Sequence, residues 1–390
     1  MMQARTRRSV ARVVGGITTV VLFLSGCGAL RDDKGRPLTT LSPKGPQAQK
    51  IDDLVRPVFI IAAIVFVFIH VAVVYIAIRY RARDDEPDPV QIHGNPRLEW
   101  GWTIVPAMVL AILAVFNVRT IWDLEQREPD AMKVTVVGQQ WWWEFRYDVD
   151  DDGKPDIITA QQMVVPAGRQ IDLQLRSNDV IHSFWIPALN GKRDAVPGRT
   201  QPWSLQADKP GIYEGQCTEF CGLSHGYMRM EVKALSPADF DKWVQNQLKG
   251  SVQPAADSLE AEGKALVVTH CLSCHQINGM DDKGESTGSD KPVEHYRGAD
   301  HPLTAANAPN LTHLMSRNKF AGNLFDLYEP GSALNGIEPA GVPKIDNLQR
   351  WLQDPHAMKP MAPDQNRGMP KLGLTAEEIH RITSYLVTLK

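Results

Sequence analysis

Cysteine is scarce in this sequence: five residues in 390, at positions 27, 217, 221, 271 and 274. So few exclude a small secreted scaffold knitted together by disulfides. Positive charge is not in excess either. Lys and Arg total 42 against 45 Asp and Glu, a formal net charge of −3, so the chain lacks the basic footprint of a nucleic-acid binder. Low-complexity tracts and internal repeats are absent from the sequence, which excludes solenoids and propellers. The length suits two or three domains. What the sequence does have is concentrated in three uncharged runs near its start and two short segments crowded with Cys, His and Met.

The first run reads as an export signal. Arg5, Arg7, Arg8 and Arg12 precede an uncharged stretch at 13–26, which is short for a membrane span but suits a signal h-region. It ends in Leu24-Ser25-Gly26-Cys27, which resembles the lipobox of bacterial lipoproteins. Residues 1–26 are then expected to be removed and Cys27 to carry lipid; an ordinary signal with a chance cysteine is the plain alternative. The other two runs, 57–78 and 100–118, each come near the ~20 residues that a spanning helix needs. They divide the segment 27–130 into a membrane hairpin. Arg79, Arg81 and Arg83 follow the first span and favour the cytoplasmic side for the connection. Trp100, Trp102 and Trp122 bracket the second as interfacial anchors. Everything from about residue 123 onward is therefore expected outside the cytoplasm, where paired cysteines ordinarily form disulfides.

Residues 131–249 read as a β domain. Segments at 132–137, 170–176 and 228–234 alternate apolar and polar residues, as half-buried strands do. Pro and Gly at 166–168, 196–198 and 209–211 supply turns. Short strands with regular turns fit a β-sandwich. A helix is expected at about 237–248, with Ser236 as its N-cap and Pro237 in its first position. Within this domain lies CTEFCGLSHGYM, residues 217–228. On spacing alone, Cys217 and Cys221 followed by His225 suit zinc or a disulfide better than copper. Two further residues turn the reading toward copper: His182, in NDVIHSFWIP, and Met228, placed as a weak axial ligand. Thiolates, imidazoles and a distant thioether are the ligand set of copper electron-transfer centres. One copper uses one cysteine; two cysteines suit two coppers bridged by both sulfurs.

With these residues in view, 51–234 resembles subunit 2 of the cytochrome c oxidases. The motif C-x-E-x-C-x3-H-x2-M is complete in Cys217, Glu219, Cys221, His225 and Met228, with His182 as the remote ligand. The resemblance implies a cupredoxin-like Greek-key sandwich holding the dinuclear copper centre CuA. It implies that Glu219 binds copper through its backbone carbonyl, while its carboxylate reaches a magnesium or manganese at the interface with subunit 1. Asp194 and Arg199 match the segment that faces haem propionates in that subunit. In GQQWWWEFRY, 138–147, the resemblance makes Trp141 the point where electrons enter; packing within a strand is the plain alternative, and Trp143, on the same face, reads as structural. Gln139 and Trp142 stand where the family usually has histidine and tyrosine. Glu99, at the cytoplasmic start of the second span, matches the glutamate that opens a proton pathway into subunit 1; an acid complementing the helix dipole is the alternative.

A short linker, 250–257, leads to a second exported domain at 258–390. Cys271-x-x-Cys274-His275 is the c-type haem attachment sequence, in which both thiols add to haem vinyl groups and the adjacent histidine meets the iron. Met280, Met315, Met358, Met361 and Met369 are candidates for the second axial ligand. Residues 375–389 read as a C-terminal helix that begins with a capping box of Thr375 and Glu378. Met369-Pro370 just ahead of it resembles the ligand loop of small class I cytochromes c, with Met361 as runner-up. Pro309, in APNLTHL, matches the proline that accepts a hydrogen bond from the proximal histidine. Residues 276–308 form a longer connection than small cytochromes need, and its His295 and His301 receive no metal assignment. On this reading Cys27 holds lipid, Cys217 and Cys221 copper, Cys271 and Cys274 haem, and no cysteine is left over.

The resemblance as a whole implies a two-helix transmembrane hairpin, a cupredoxin-like sandwich and an all-α class I cytochrome c domain: subunit 2 of a caa-type cytochrome c oxidase. It implies a bacterial cell membrane, subunits 1 and 3 as partners, and a quinol–cytochrome c reductase as electron source. The small subunit of a CuA-containing nitric oxide reductase would share the copper motif and is the alternative. A quinol oxidase subunit would have lost the copper ligands, and a structural zinc lipoprotein is the bland reading.

Overall fold

The computed structural model describes residues 38–81, 90–91, 93–281, 283–292, 308–329, 341–365 and 367–390. The export signal, Cys27, His295 and His301 lie outside them.

Two long helices come first, α1 (Pro46–Arg79) and α2 (Pro96–Glu125). Both begin earlier than the apolar runs. Pro46 and Pro96 occupy the first turn, where a missing N–H costs nothing, and Asn95 caps α2 by accepting from the amides of Arg97 and Leu98 at 3.1 and 3.4 Å. With 34 residues, α1 is about 51 Å long, more than the ~30 Å of a bilayer's hydrocarbon. The apolar windows of both helices are unburied, as a lipid-facing surface requires. The surplus length of α1 docks on the β domain. Lys44 N donates to Ala188 O at 2.7 Å and Ala48 N to Leu189 O at 3.1 Å. A side chain at Gly45 would strike Gln206 O, 1.9 Å from its Cβ. Just past α2, Arg127 Nε meets Asp172 Oδ1 at 2.9 Å. The start of α1 and the end of α2 thus meet the same domain, which makes the pair a hairpin.

The β domain comprises β1 (Met132–Gln139), β2 (Trp142–Tyr147), β3 (Ile157–Ala160), β4 (Gln162–Pro166), β5 (Ile171–Ser177), β6 (His182–Phe184), β7 (Arg193–Ala195), β8 (Gln201–Leu205), β9 (Gly211–Gln216) and β10 (Arg229–Leu235). One sheet has the order β3-β2-β1-β5-β8 and the other β4-β10-β9, with β6 and β7 as a separate hairpin. The pairs β1/β5 and β4/β10 are parallel and the rest antiparallel. Val136, Phe145, Leu173, Phe184 and Met230 belong to the core between the sheets. The expected alternation holds in β5, where every second residue is buried. It fails in β10, buried everywhere but Arg229, with Glu231 and Lys233 included. The reason lies in the second exported domain, which covers the strand's outer face. Glu231 accepts from Asn318 Nδ2 at 3.0 Å and Asn323 Nδ2 at 3.1 Å, besides Gln162 Nε2 at 2.5 Å. Helix α3 (Pro237–Gln247) closes the domain, and Ser236 caps it as expected, accepting from Asp239 N at 3.2 Å.

In the second exported domain, α4 (Leu259–His270) crosses the C-terminal helix at Gly263, whose absent side chain lets Arg381 O come within 2.0 Å of where a Cβ would sit. The all-α expectation gains one addition, a two-residue ladder of β11 (Lys319–Phe320) and β12 (Phe325–Asp326). Its turn carries Ala321, Gly322 and Asn323 at positive φ. Contacts with the β domain hold it there: Gly322 O accepts from Arg229 N at 3.0 Å, beside the Asn323–Glu231 bond. Helices α5 (Ile345–Gln353), α6 (Pro355–Met358) and α7 (Ala376–Leu386) complete the domain. The Thr375–Glu378 capping box is present, although α7 ends at Leu386 rather than 389.

Candidate copper and haem sites

Three segments of the β domain converge on one buried point. Strand β6 begins with His182, the loop after β9 carries Cys217 to Cys221, and a short 3-10 turn brings His225 and then Met228. The two Sγ atoms lie 3.9 Å apart, far beyond a disulfide bond of ~2.05 Å. With metal–sulfur bonds near ~2.3 Å, that spacing lets both sulfurs bind the same ion. Cys217 Sγ has His182 Nδ1 at 3.9 Å and Glu219 O at 3.3 Å. Cys221 Sγ has His225 Nδ1 at 3.6 Å and Met228 Sδ at 3.8 Å. Each cysteine therefore carries one imidazole and one weak donor, the symmetric set that two coppers need. A tetrahedral zinc would use four donors and leave two idle.

The surroundings tune this cage. His182 is wholly buried, and its Nε2 lies 2.7 Å from Asp179 Oδ1. Donation from Nε2 leaves the Nδ1 lone pair facing the sulfurs. Burial alone would lower the histidine's pKa, but Asp179 and Cys217 outweigh it and the net shift is upward. The Cys217 thiol is held down at about 4, chiefly by its hydrogen bond with Cys221, whose own thiol is pushed up. Metal binding would displace the thiol protons. Gly138 gives the His182 ring room: a Cβ there would lie 2.7 Å from His182 Cδ2. Trp143 meets the same ring edge-on at 5.8 Å between centroids.

In the second exported domain the end of α4 runs straight into Cys271, Cys274 and His275. The amides of Cys274 and His275 bond back to Cys271 O at 3.0 and 2.8 Å, forming a tight turn. His275 Nδ1 lies 2.7 Å from Pro309 O, the expected acceptor, so Nε2 is left for an iron. All three residues line an apolar cavity with Leu311, Phe320 and Met369. Thiols, imidazole and thioether around an apolar slot fit a covalently attached haem. Of the five candidate methionines, Met361 and Met369 line the cavity. Met369 packs with this domain's core and Met361 against the core of the β domain. Met361 Sδ accepts from Met369 N at 3.1 Å, and Met369 Sδ accepts from Trp351 Nε1 at 3.1 Å.

The remaining wall of the cavity comes from the β domain and includes Gln140, Trp141 and Trp142. Trp141 is not in a strand, contrary to expectation. Gln140 and Trp141 form the turn between β1 and β2, so Trp141 does not share a strand face with Trp143. Its indole is buried and donates from Nε1 to Cys221 O at 3.0 Å.

Comparison with known proteins agrees with this geometry. Residues 41–120 match the family described as cytochrome C oxidase subunit II, transmembrane domain; residues 151–235 match its periplasmic domain; residues 260–390 match cytochrome c. Cytochrome c oxidase subunit 2 of Alkalihalophilus pseudofirmus is 31% identical over 383 residues, covering 96% of both chains. The protein of the same description from Bacillus sp. strain PS3 is 32% identical and covers 95% of both. The chain belongs to the cytochrome c oxidase subunit 2 family. Among other relatives, quinol oxidase subunit 2 of Bacillus cereus is 29% identical over 68% of this chain and 90% of that one. A crystal structure of the periplasmic domain of cytochrome oxidase subunit II from Bradyrhizobium japonicum is 32% identical, covering 30% of this chain and 95% of that one, with a TM-score of 0.28.

As a member of this family the chain is an oxidase subunit, a membrane protein with a copper-binding exported domain and a cytochrome c domain. Other side chains singled out in the sequence point away from the two sites, although the Glu219 carbonyl belongs to the first. Glu219 turns an exposed side chain outward, and Asp194 and Arg199 are exposed, Asp194 standing opposite Ser183 in the β6–β7 hairpin. Glu99 is exposed in the first turn of α2, at the end away from the β domain. Residues at or behind the sites that escaped sequence reasoning include Gln140, Asp179, Lys359 and Arg367. Only Asp179 left a local signal, an acid three positions before His182.

Proposed function

We propose that this chain is subunit 2 of a respiratory caa-type cytochrome c oxidase, taking up electrons at a haem c and delivering them by way of CuA to subunit 1, which reduces oxygen to water and translocates protons. When bound, the two cofactors supply reversible one-electron exchange. Cys271 and Cys274 would hold the haem covalently, His275 and Met369 would ligate its iron, and Pro309 would orient the imidazole. His182, Cys217, Glu219 O, Cys221, His225 and Met228 would hold the coppers. The observation that carries this reading is Trp141, which lines the haem cavity on one side and hydrogen-bonds to the backbone of a copper ligand on the other.

The exposed Glu219, Asp194 and Arg199 form the face toward subunit 1, where Glu219 reaches a magnesium or manganese. Glu99 serves the mouth of a proton pathway there. Cys27 carries lipid, the chain sits in a bacterial cell membrane with both cofactor domains outside, and subunit 3 and a quinol–cytochrome c reductase complete its surroundings. The full copper ligand set speaks against a quinol oxidase, and the co-purifying large subunit separates an oxygen reductase from a nitric oxide reductase.

The test is Trp141→Phe in the whole oxidase. Haem and copper spectra stay as in the wild type, and flash-induced haem-to-copper transfer slows about tenfold or more, the scale expected when a positioned group is lost. A wild-type rate with copper fully loaded would reduce Trp141 to a packing residue.

A further inference from the structure

The segment between Lys359 and Met369 belongs to the haem domain, yet two of its cations reach into the copper domain. Lys359 is buried, and its Nζ donates to Trp141 O at 2.6 Å and to Ala321 O at 3.2 Å. Arg367 Nε donates to Gln140 Oε1 at 2.8 Å. Their targets are consecutive residues of the β1–β2 turn. Both of those residues then end on one atom: Gln140 Nε2 donates to Cys221 O at 2.6 Å and Trp141 Nε1 to the same oxygen at 3.0 Å. Behind the turn, Gln140 N donates to Asp179 Oδ2 at 2.7 Å, and the other oxygen of Asp179 is the one that meets His182.

We propose that Lys359 and Arg367 are positioning residues that latch the haem-ligand loop onto the Gln140–Trp141 turn and so hold both side chains on the carbonyl of the copper ligand Cys221. The proposal rests on Trp141 being the point of electron entry into the copper domain and adds what holds it there. Burying an ammonium is costly unless its donors are satisfied, and here two of the three find backbone carbonyls. That expense is understandable where a loop must keep one register against another domain. The loop belongs to the haem domain and bears Met369, so the same contacts set where Met369 lies relative to the indole across the cavity. The close approach at Gly322 belongs to the same junction: a Cβ there would sit 2.4 Å from Tyr227 O and 2.7 Å from Lys359 Nζ. Latched in this way, the two domains act as one body, and the linker at 250–257 does not have to search for a docking pose.

The test compares Lys359→Met, Arg367→Met and Arg367→Lys in the intact oxidase, with Trp141→Phe alongside. Each variant is first checked for full haem and copper content and for both midpoint potentials. Two readouts follow: the flash-induced haem-to-copper rate, and hydrogen exchange of the peptide covering 138–143. We expect Lys359→Met and Arg367→Met to slow transfer about tenfold at unchanged potentials, since a misplacement of ~1 Å can cost as much as a hundredfold. Exchange at 138–143 should rise in both. Arg367→Lys, which keeps the charge and a donor, should recover most of the rate. Wild-type rate and exchange in both methionine variants, with Trp141→Phe slow, would overturn the latch and leave the role of Trp141 standing. A wild-type rate in Trp141→Phe would overturn the relay and the latch together. If Lys359→Met does not assemble, the Arg367 pair decides: a slow Arg367→Met that Arg367→Lys does not restore counts against the latch.

Discussion

The indole nitrogen of Trp141 donates to the carbonyl oxygen of Cys221 across 3.0 Å, joining residues 80 apart in sequence. That bond ties the wall of the apolar cavity to Cys221, one of the proposed copper ligands. It exists because the two-residue turn between β1 and β2 brings the Trp141 ring into the core cluster that also holds Cys221.

Asp179 orients His182, so its loss should weaken copper binding. Asp179→Ala removes the acceptor that fixes the Nδ1-coordinating tautomer, and losing such a partner typically costs ~10–100-fold in metal affinity. Copper per haem after competition with a chelator should fall accordingly, while haem attachment is unaffected. Unchanged copper retention would mean that strand geometry alone orients the ring.

Met369→His should keep the haem covalently bound through Cys271 and Cys274 and lower its potential, because imidazole stabilises ferric iron better than thioether does. Met361→His should leave the potential nearly as it was, since Met361 packs against the β domain. A redox titration followed in the visible band distinguishes them. The reverse pattern assigns Met361 as the ligand.

Trp143 is fully buried and meets both His182 and Phe184 edge-on, at 5.8 and 5.4 Å. Trp143→Ala should destabilise the copper domain by about 3–5 kcal/mol. It should also disturb the copper spectrum, since the ring supports a ligand. Trp141→Phe should leave that spectrum intact. Calorimetry and near-infrared absorption of the two variants test the difference.

Lys291 pairs with Asp156 at 2.6 Å and with Asp150 at 3.2 Å, bridging the two exported domains. Burial tends to raise the Asp156 pKa. The hydrogen bond from Lys291, with the amides of Val149 and Asp150, prevails and holds it below the usual value of 3.8. A carboxyl depressed in the folded state stabilises above the unfolded value and loses that contribution as pH falls through the folded one. Lys291→Ala should therefore lower Tm at pH 6, and the gap to the wild type should close below the usual carboxylate range. Because the lysine is half exposed, the gap should also shrink with salt. A gap that persists undiminished at pH 2 would mean that the pair is not its source.

Much of the chemistry was legible in the sequence because it is local. Cys271, Cys274 and His275 are a covalent attachment sequence. Five of the six proposed copper ligands lie within twelve residues, and the two spans declare themselves by length and lack of charge. Ser236, Thr375 and Glu378 announced their helix caps because capping bonds join residues three apart. Tertiary structure decided whatever depends on distant segments meeting. It placed Trp141 in a turn, buried the outer face of β10 under Asn318 and Asn323, and reduced five methionines to the two that line the haem cavity. It also set Lys359 on the carbonyl of Trp141 across 218 positions of sequence. Periodicity reports which face of an element is apolar, but not which other surface will cover it. An interdomain junction is made of backbone carbonyls and single side chains, which leave no pattern in the chain until the fold brings them together.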